Sequence, residues 1–298
     1  MGTSFSETVS ALRDLPPISD VALEVVRRTT QEDLEAGALA RIIAKDPGLA
    51  LKVLRVANSP FYGVRTQVKT LQQAIVVLGQ LSVVSICSTI AALGVLTARH
   101  PVPHPRYSNS TLRRHAVLTA VMARCAAEQS ESPRLPAADA YMAGLLHDIG
   151  ELALAVFYPS RLKALHEYET AHPGCSRIDA QRQSVGCDHQ SLGAEVLQRW
   201  HLPPTFIHVA GHHHDGVSLL DGPEGAMVKL IGTAAAIADA LVPALEPDGC
   251  GQIRATEPGG RDVILSTITG VAPSLSGCLE PYLDSLLAET MLMEHCCA

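Results

Sequence analysis

Apolar residues recur at helical spacing along almost the whole of this 298-residue chain, and no stretch alternates apolar with polar residues between hairpin turns. Alternation is the mark of a half-buried strand, so its absence leaves the 3.6-residue period as the organiser. The expected fold is all-α. Ser19-Asp20, good N-cap types, precede a helix over Val21 to Arg28. Leu39, Ile42 and Ile43 form one apolar face, and Asp46-Pro47 ends that helix and starts the next, because proline fits the first helical turn. Ala50, Val53, Leu54 and Ala57 form a second face, broken by Asn58-Ser59-Pro60. Leu71, Ala74, Ile75 and Leu78 form a third, closed by Gly79 as a left-handed C-cap.

Ala98 to Tyr107 carries three prolines and reads as a linker. Beyond it, one helix is expected over Ser110 to Ala127 and a single helix after Pro136 bearing AYMAGLLHDIGELALAVF. Tyr158-Pro159-Ser160 separates that helix from one ending near His172. Ser176 and Asp188 are placed to cap two further helices, and Pro203-Pro204 opens one ending in GHHHDG. Met227 to Val242 is apolar and alanine-rich, Pro243 to Gly260 reads as a mobile connection, and Leu279 to His295 as a last amphipathic helix. The length suits two modest domains or one large one. The division expected is a helical N-terminal subdomain over 1–100, a helical core over 108–245 and a C-terminal linker and helix over 246–298.

Composition narrows the function. A net charge of −7 and a pI near 6.0 provide no basic excess for phosphate backbones, and 4% aromatic residues make no stacking platform, so nucleic acid is not an expected partner. The eight cysteines form no CxxC pair and read as reduced cytosolic thiols. The N-terminal MGTSFSETVSALRDL has neither a basic start nor an apolar core, so no secretory leader is expected. Leu71 to Ala98 has no charged residue and is long enough to span a bilayer, but glutamines, serines and Gly79 interrupt it. It reads as two buried helices, and the protein as cytoplasmic with no membrane span.

Seven residues form an ordered set of metal-ligand types: His115, the pair His147-Asp148, His189, the pair His213-His214, and Asp239. Only imidazoles and carboxylates appear, which suits Fe, Mn, Zn or Mg rather than a soft thiolate site. If the seven converge, the chain can hold one or two divalent ions. Bound water would then lose a proton more readily and a phosphoryl oxygen would be polarised, which is the chemistry of phosphate ester hydrolysis. If they do not converge, a helical binding module is left. Under a third reading, the imidazoles and acids satisfy one another without an ion. Asp239 stands out because an unpaired carboxylate buried in an apolar helix is costly.

Longer motifs supply a family resemblance. Leu15-Pro16-Pro17, Ile43-Ala44-Lys45-Asp46-Pro47, Leu54-Arg55-Val56-Ala57-Asn58-Ser59 and Ala74-Ile75-Val76-Val77-Leu78-Gly79 in the first half resemble the signature of HDOD proteins, bacterial relatives of the HD and HD-GYP phosphohydrolases. Ala143-Gly144-Leu145-Leu146-His147-Asp148-Ile149-Gly150 and Trp200-His201-Leu202-Pro203 do so in the second half. The likeness covers about Leu15 to Asp215. It implies an N-terminal helical part packed on an HD-like helical core. It also implies that His115, His147, Asp148 and Asp239 match the HD metal set, and that His189, His213 and His214 match the added ligands of the HD-GYP branch.

The resemblance carries departures as well. Glu151 stands where HD-GYP enzymes usually have a lysine, and an anion there would repel phosphate. Asp215-Gly216-Val217-Ser218 replaces the GYP tripeptide, and Gln181 stands where an acidic residue is often found. No cluster of Arg or Lys is evident near the site to clamp a nucleotide. The function so implied is a bacterial, cytoplasmic, non-catalytic signalling module that binds a protein partner or a nucleotide second messenger, with self-association a further option. The alternative is a metal-dependent phosphohydrolase acting on a nucleotide or cyclic dinucleotide, with a metal-bound water beside Asp148.

Overall fold

A computed structural model of the chain describes residues 20–21, 24–25, 35–58, 66–80, 83–84, 86–87, 109–130, 135–215, 223–245 and 260–271. Among these residues there is no strand. The all-α expectation therefore holds. Of the helix expected over Val21 to Arg28, residues 20–21 and 24–25 are described and are helical. The linker expected at Ala98 to Tyr107 and the helix at Leu279 to His295 lie outside the described residues.

The helices α1 (Ala36–Ile43), α2 (Pro47–Ala57) and α3 (Leu71–Leu78) belong to one compact unit. Leu39, Ile43, Val53, Val56, Ala74 and Ile75 fill its interior. The turn residues act as their chemistry dictates. The Asp46 carboxylate accepts from the Leu49 amide at 3.0 Å, capping α2. Thr70 and Gln73 complete a capping box at the start of α3. Asn58 ends α2 by bonding the Val68 backbone on both sides, accepting from its amide and donating to its carbonyl, each at 2.8 Å. Gly79 has the expected positive φ of 79°, but its ψ of 151° is extended rather than left-handed helical. That conformation is close to glycine-only, and it redirects the chain instead of closing α3 with a left-handed cap.

The second unit holds α4 (Asn109–Gln129), α5 (Ala137–Leu146), α6 (Ile149–Phe157), α7 (Pro159–Ala171), α8 (Arg177–Ser184), α9 (His189–Arg199), α10 (Pro204–His212), α11 (Pro223–Leu245) and α12 (Gly260–Val271). The helix expected after Pro136 is in fact two. The helix α5 stops at Leu146, and Asp148, at φ −102° and ψ 19°, leaves helical geometry before α6 begins. The break turns α6 onto α9. Pro243 does not end α11, which continues to Leu245; residues 246–259 of the expected connection are not among those described.

Small residues let these helices approach closely. A Cβ on Gly144 would sit 2.7 Å from the Ala120 Cα, so α5 crosses α4 backbone to backbone. Leu118 and Met122 of α4 and Tyr141 and Leu145 of α5 are fully buried. The window Ala137–Phe157 is apolar and long enough to cross a membrane, yet 83% of it is buried within the helical unit, which accounts for its character as a core element. Glu224–Pro243 of α11 passes the same test of length and composition and packs on α4, α5, α10 and α12. Among the described cysteines, Cys87, Cys125 and Cys187 are buried and Cys175 is exposed, and none of the four is in a disulfide.

Candidate metal centre

The seven residues singled out in the sequence all lie in the second unit, five of them at helix ends and His115 and Asp239 within helices. His115 is on α4, and His147-Asp148 form the joint between α5 and α6. His189 is the first residue of α9, His213 and His214 follow α10, and Asp239 is on α11. Gly150 allows α6 to lie against the start of α9, where its Cβ would collide with the His189 carbonyl. Gly232 of α11 makes the same allowance for the His213 carbonyl, 2.6 Å from where a Cβ would stand.

The result is a cluster centred on the Asp148 carboxylate. Oδ2 lies 3.4 Å from His115 Nε2 and 3.6 Å from His147 Nε2, which are 3.1 Å from each other. Oδ1 lies 3.4 Å from His189 Nε2 and 3.2 Å from His213 Nε2, which are 3.3 Å apart. Two groups therefore have ligand atoms within 4.8 Å of one another: His115, His147 and Asp148, and Asp148, His189, His213 and His214. One carboxylate belongs to both.

The other ring nitrogens are already engaged. His147 Nδ1 donates to the Gly144 carbonyl at 2.7 Å, and His213 Nδ1 to the Ala210 carbonyl at 3.1 Å. His189 Nδ1 donates to Gln181 Oε1 at 2.7 Å, since the Gln181 amide nitrogen is turned to Glu151 Oε1 at 2.9 Å. His115 Nδ1 faces Asp239 Oδ1 at 3.2 Å. Outer partners of this kind set the tautomer and aim the free nitrogen of a metal-ligating histidine. With Nδ1 protonated, the neutral His147 and His189 rings turn bare Nε2 lone pairs into the cluster, toward Asp148.

Bare lone pairs gathered beside a carboxylate favour a cation among them. Asp148 Oδ1 is buried and has no hydrogen-bond partner, an expensive condition for a carboxylate oxygen. Burial disfavours charge on His147, whose pKa is lowered to about 3 from 6.5 with the neighbouring His213 and His115 adding to the effect. Burial, with His213 and His189 nearby, lowers His214 to about 4, and burial also lowers His189. These rings are neutral near pH 7 and their lone pairs are available. His115 differs: burial opposes its charge, but the hydrogen bond to Asp239 and the charges of Asp148 and Asp239 outweigh it and raise its pKa. The donor set, the aimed nitrogens and the orphaned oxygen fit a divalent ion, and the cluster can hold one.

Three features differ from the sequence expectation. Asp239 is not buried: its side chain is 73% exposed, so its place in an apolar helix was no sign of burial. It reaches the outer nitrogen of His115, not the centre of the cluster. Glu151 does not lie open as an anion. It is buried, takes hydrogen bonds at Oε1 from Gln181 and from the Arg177 guanidinium, and lies 3.1 Å from His189 Nδ1. Arg177 was not singled out, yet it lines a cavity of about 440 Å³ that opens on the cluster at His115, Asp148, His214 and Asp239. The available signal was Glu151 itself, because a carboxylate in the apolar run IGELALAVF calls for a cation from elsewhere in the chain.

The HDOD domain family matches residues 15–216. The chain belongs to this family. An HDOD domain protein of unknown function from Geobacter sulfurreducens has 20% sequence identity and a TM-score of 0.69, covering 96% of this chain and 97% of its own. A candidate phosphohydrolase from Shewanella amazonensis SB2B has 20% identity and a TM-score of 0.69, with 98% of both chains covered. At these identities the likeness shows the HDOD fold. An uncharacterised protein of Treponema pallidum (strain Nichols) is 26% identical over 203 residues, 68% of this chain. The chain spans 38% of the length of that curated relative.

Proposed function

We propose that this HDOD protein is a bacterial, cytoplasmic signalling module built round two divalent ions, which it uses to bind a protein partner or a small phosphorylated messenger. The observation that carries the reading is the set of four histidine Nε2 atoms lying 3.2 to 3.6 Å from the two oxygens of Asp148. His115 and His147 with Oδ2 would hold one ion. His189, His213 and His214 with Oδ1 would hold the other, and Asp148 would bridge them. Asp239 and the Gln181–Glu151 pair orient His115 and His189. The imidazole-rich set favours Fe or Zn, with Mn next and Mg least.

A second reading, hydrolysis of a phosphoester, is favoured by the cavity that opens on the cluster. Bound ions would supply an acidified water and polarise a phosphoryl oxygen. The chain's own part would be to aim the nitrogens and to provide the walls that shield the site from bulk water. Elemental analysis and hydrolysis of bis(p-nitrophenyl) phosphate, on the full chain with and without Asp148→Asn, test both readings. Bound metal without turnover supports the binding module, and turnover abolished by the substitution decides for the hydrolase. Absence of metal after Fe, Zn or Mn supplementation defeats both.

A further inference from the structure

We infer that Arg177 is the residue that recognises the anionic group of the cavity's ligand, and that the ligand is a small phosphate ester bound with its phosphoryl group beside the cluster. This rests on the two-ion reading. Arg177 is the first residue of α8, whose start is fixed by Ser176: its hydroxyl accepts from the Asp179 amide at 3.1 Å. Its Nε donates to the buried Glu151 carboxylate, which orients the guanidinium plane. Among the described residues lining the cavity it is the one arginine or lysine.

Charge decides the class of ligand. The lining holds three carboxylates, Asp148, Glu151 and Asp239, against this one guanidinium. Without metal the cavity is anionic and repels phosphate. One divalent ion neutralises it, and two make it cationic. The Glu151–Arg177 pair is neutral as a unit, so Glu151 does not provide the repulsion its position in the sequence implied. A guanidinium also offers a planar fork of donors that matches phosphoryl oxygens. Leu112 on α4 and Ala235, Ala236 and Val242 on α11 add apolar surface beside His115 and Asp239 of the same helices, a surface suited to the non-phosphate body of an ester. The volume of about 440 Å³ is in the range of small-molecule sites.

The test is calorimetric titration of the Zn- or Mn-loaded full chain with inorganic phosphate and with phenyl phosphate, with metal content measured on every sample. The wild type should bind both, phenyl phosphate more tightly, and the metal-free protein neither. Arg177→Ala should weaken both at least tenfold while keeping its metal. Because that variant leaves Glu151 uncompensated, the double variant E151Q/R177A removes both charges and should be equally weak. Wild-type affinity in R177A or in the metal-replete double variant overturns the assignment. So does a metal-loaded wild type that binds neither probe. A wild type that takes up no metal overturns the two-ion reading, and this assignment with it.

Discussion

Substituting Gly150 by alanine should disrupt the cluster without touching a ligand. The new Cβ would lie 1.9 Å from the His189 carbonyl oxygen, 2.7 Å from its carbon and 2.8 Å from the Gly193 amide nitrogen. All three are backbone atoms, so no side chain can swing away. Restoring an ordinary 3.4 Å contact requires α6 and α9 to part by about 1.5 Å. Overpacking of a core costs about 1–3 kcal/mol, and a contact with fixed backbone on both sides belongs at the upper end. At ~2–4 °C per kcal/mol for a domain of this size, the melting temperature should fall by ~6–12 °C. His189 is at the point of contact and Asp148 two residues before Gly150. Displacement by that amount exceeds the tolerance of about 0.2 Å for a metal ligand, so the site that includes His189 should also lose affinity. Differential scanning fluorimetry and metal titration measure the two effects. Gly37→Ala is the control, because its Cβ meets only side-chain ends at 3.6 and 3.7 Å. A Gly150→Ala protein that melts within 2 °C of wild type and binds metal normally would refute the close-crossing argument.

Gln181→Ala removes the acceptor of His189 Nδ1 and should weaken metal binding ~10–100-fold, as loss of an outer partner does; unchanged affinity in a titration would show that Gln181 has no orienting role. His115→Ala should remove one ion and leave the second, whereas Asp148→Asn should deplete both, read as metal per chain by elemental analysis. Ligand-bound metal stabilises the folded state by about 2.7 kcal/mol at a hundredfold excess over Kd, so chelation should lower the melting temperature by several degrees. In the chelated protein His147, His189 and His214 are held below the ordinary 6.5, so the unfolded chain binds more protons than the folded one as pH falls. Their contribution to stability is complete above pH 6.5 and declines toward pH 3–4. The raised His115 acts oppositely, being most stabilising below 6.5, but three rings outnumber one. Melting temperatures that stay level from pH 7 to 4 would contradict this balance.

The helices were legible because their start and stop signals are local. Asp46, Thr70, Ser176 and Asp188 cap the elements whose first amides lie within three residues of them. The six residues that converge on Asp148 stand out in the sequence for another reason: imidazole and carboxylate are conspicuous beside apolar helical segments, a signal that Asp239 gave as well without reaching the centre. What periodicity could not show is which nitrogen of each ring faces the centre, since that depends on carbonyls and amides brought in by helix crossings. The break at His147-Asp148 was missed because an uninterrupted apolar run hides a turn set by tertiary contact between Gly150 and α9. Arg177 was missed because it meets Glu151 across 26 positions, and no local pattern links a cation to a carboxylate at that separation.

The most direct test is a crystal structure of the full chain grown with Zn or Fe, with anomalous data collected on both sides of the metal edge. Two peaks, one among His115, His147 and Asp148 and the other among Asp148, His189, His213 and His214, are the expected result. A map without an anomalous peak at Asp148, with the rings hydrogen-bonded only to one another, would contradict it.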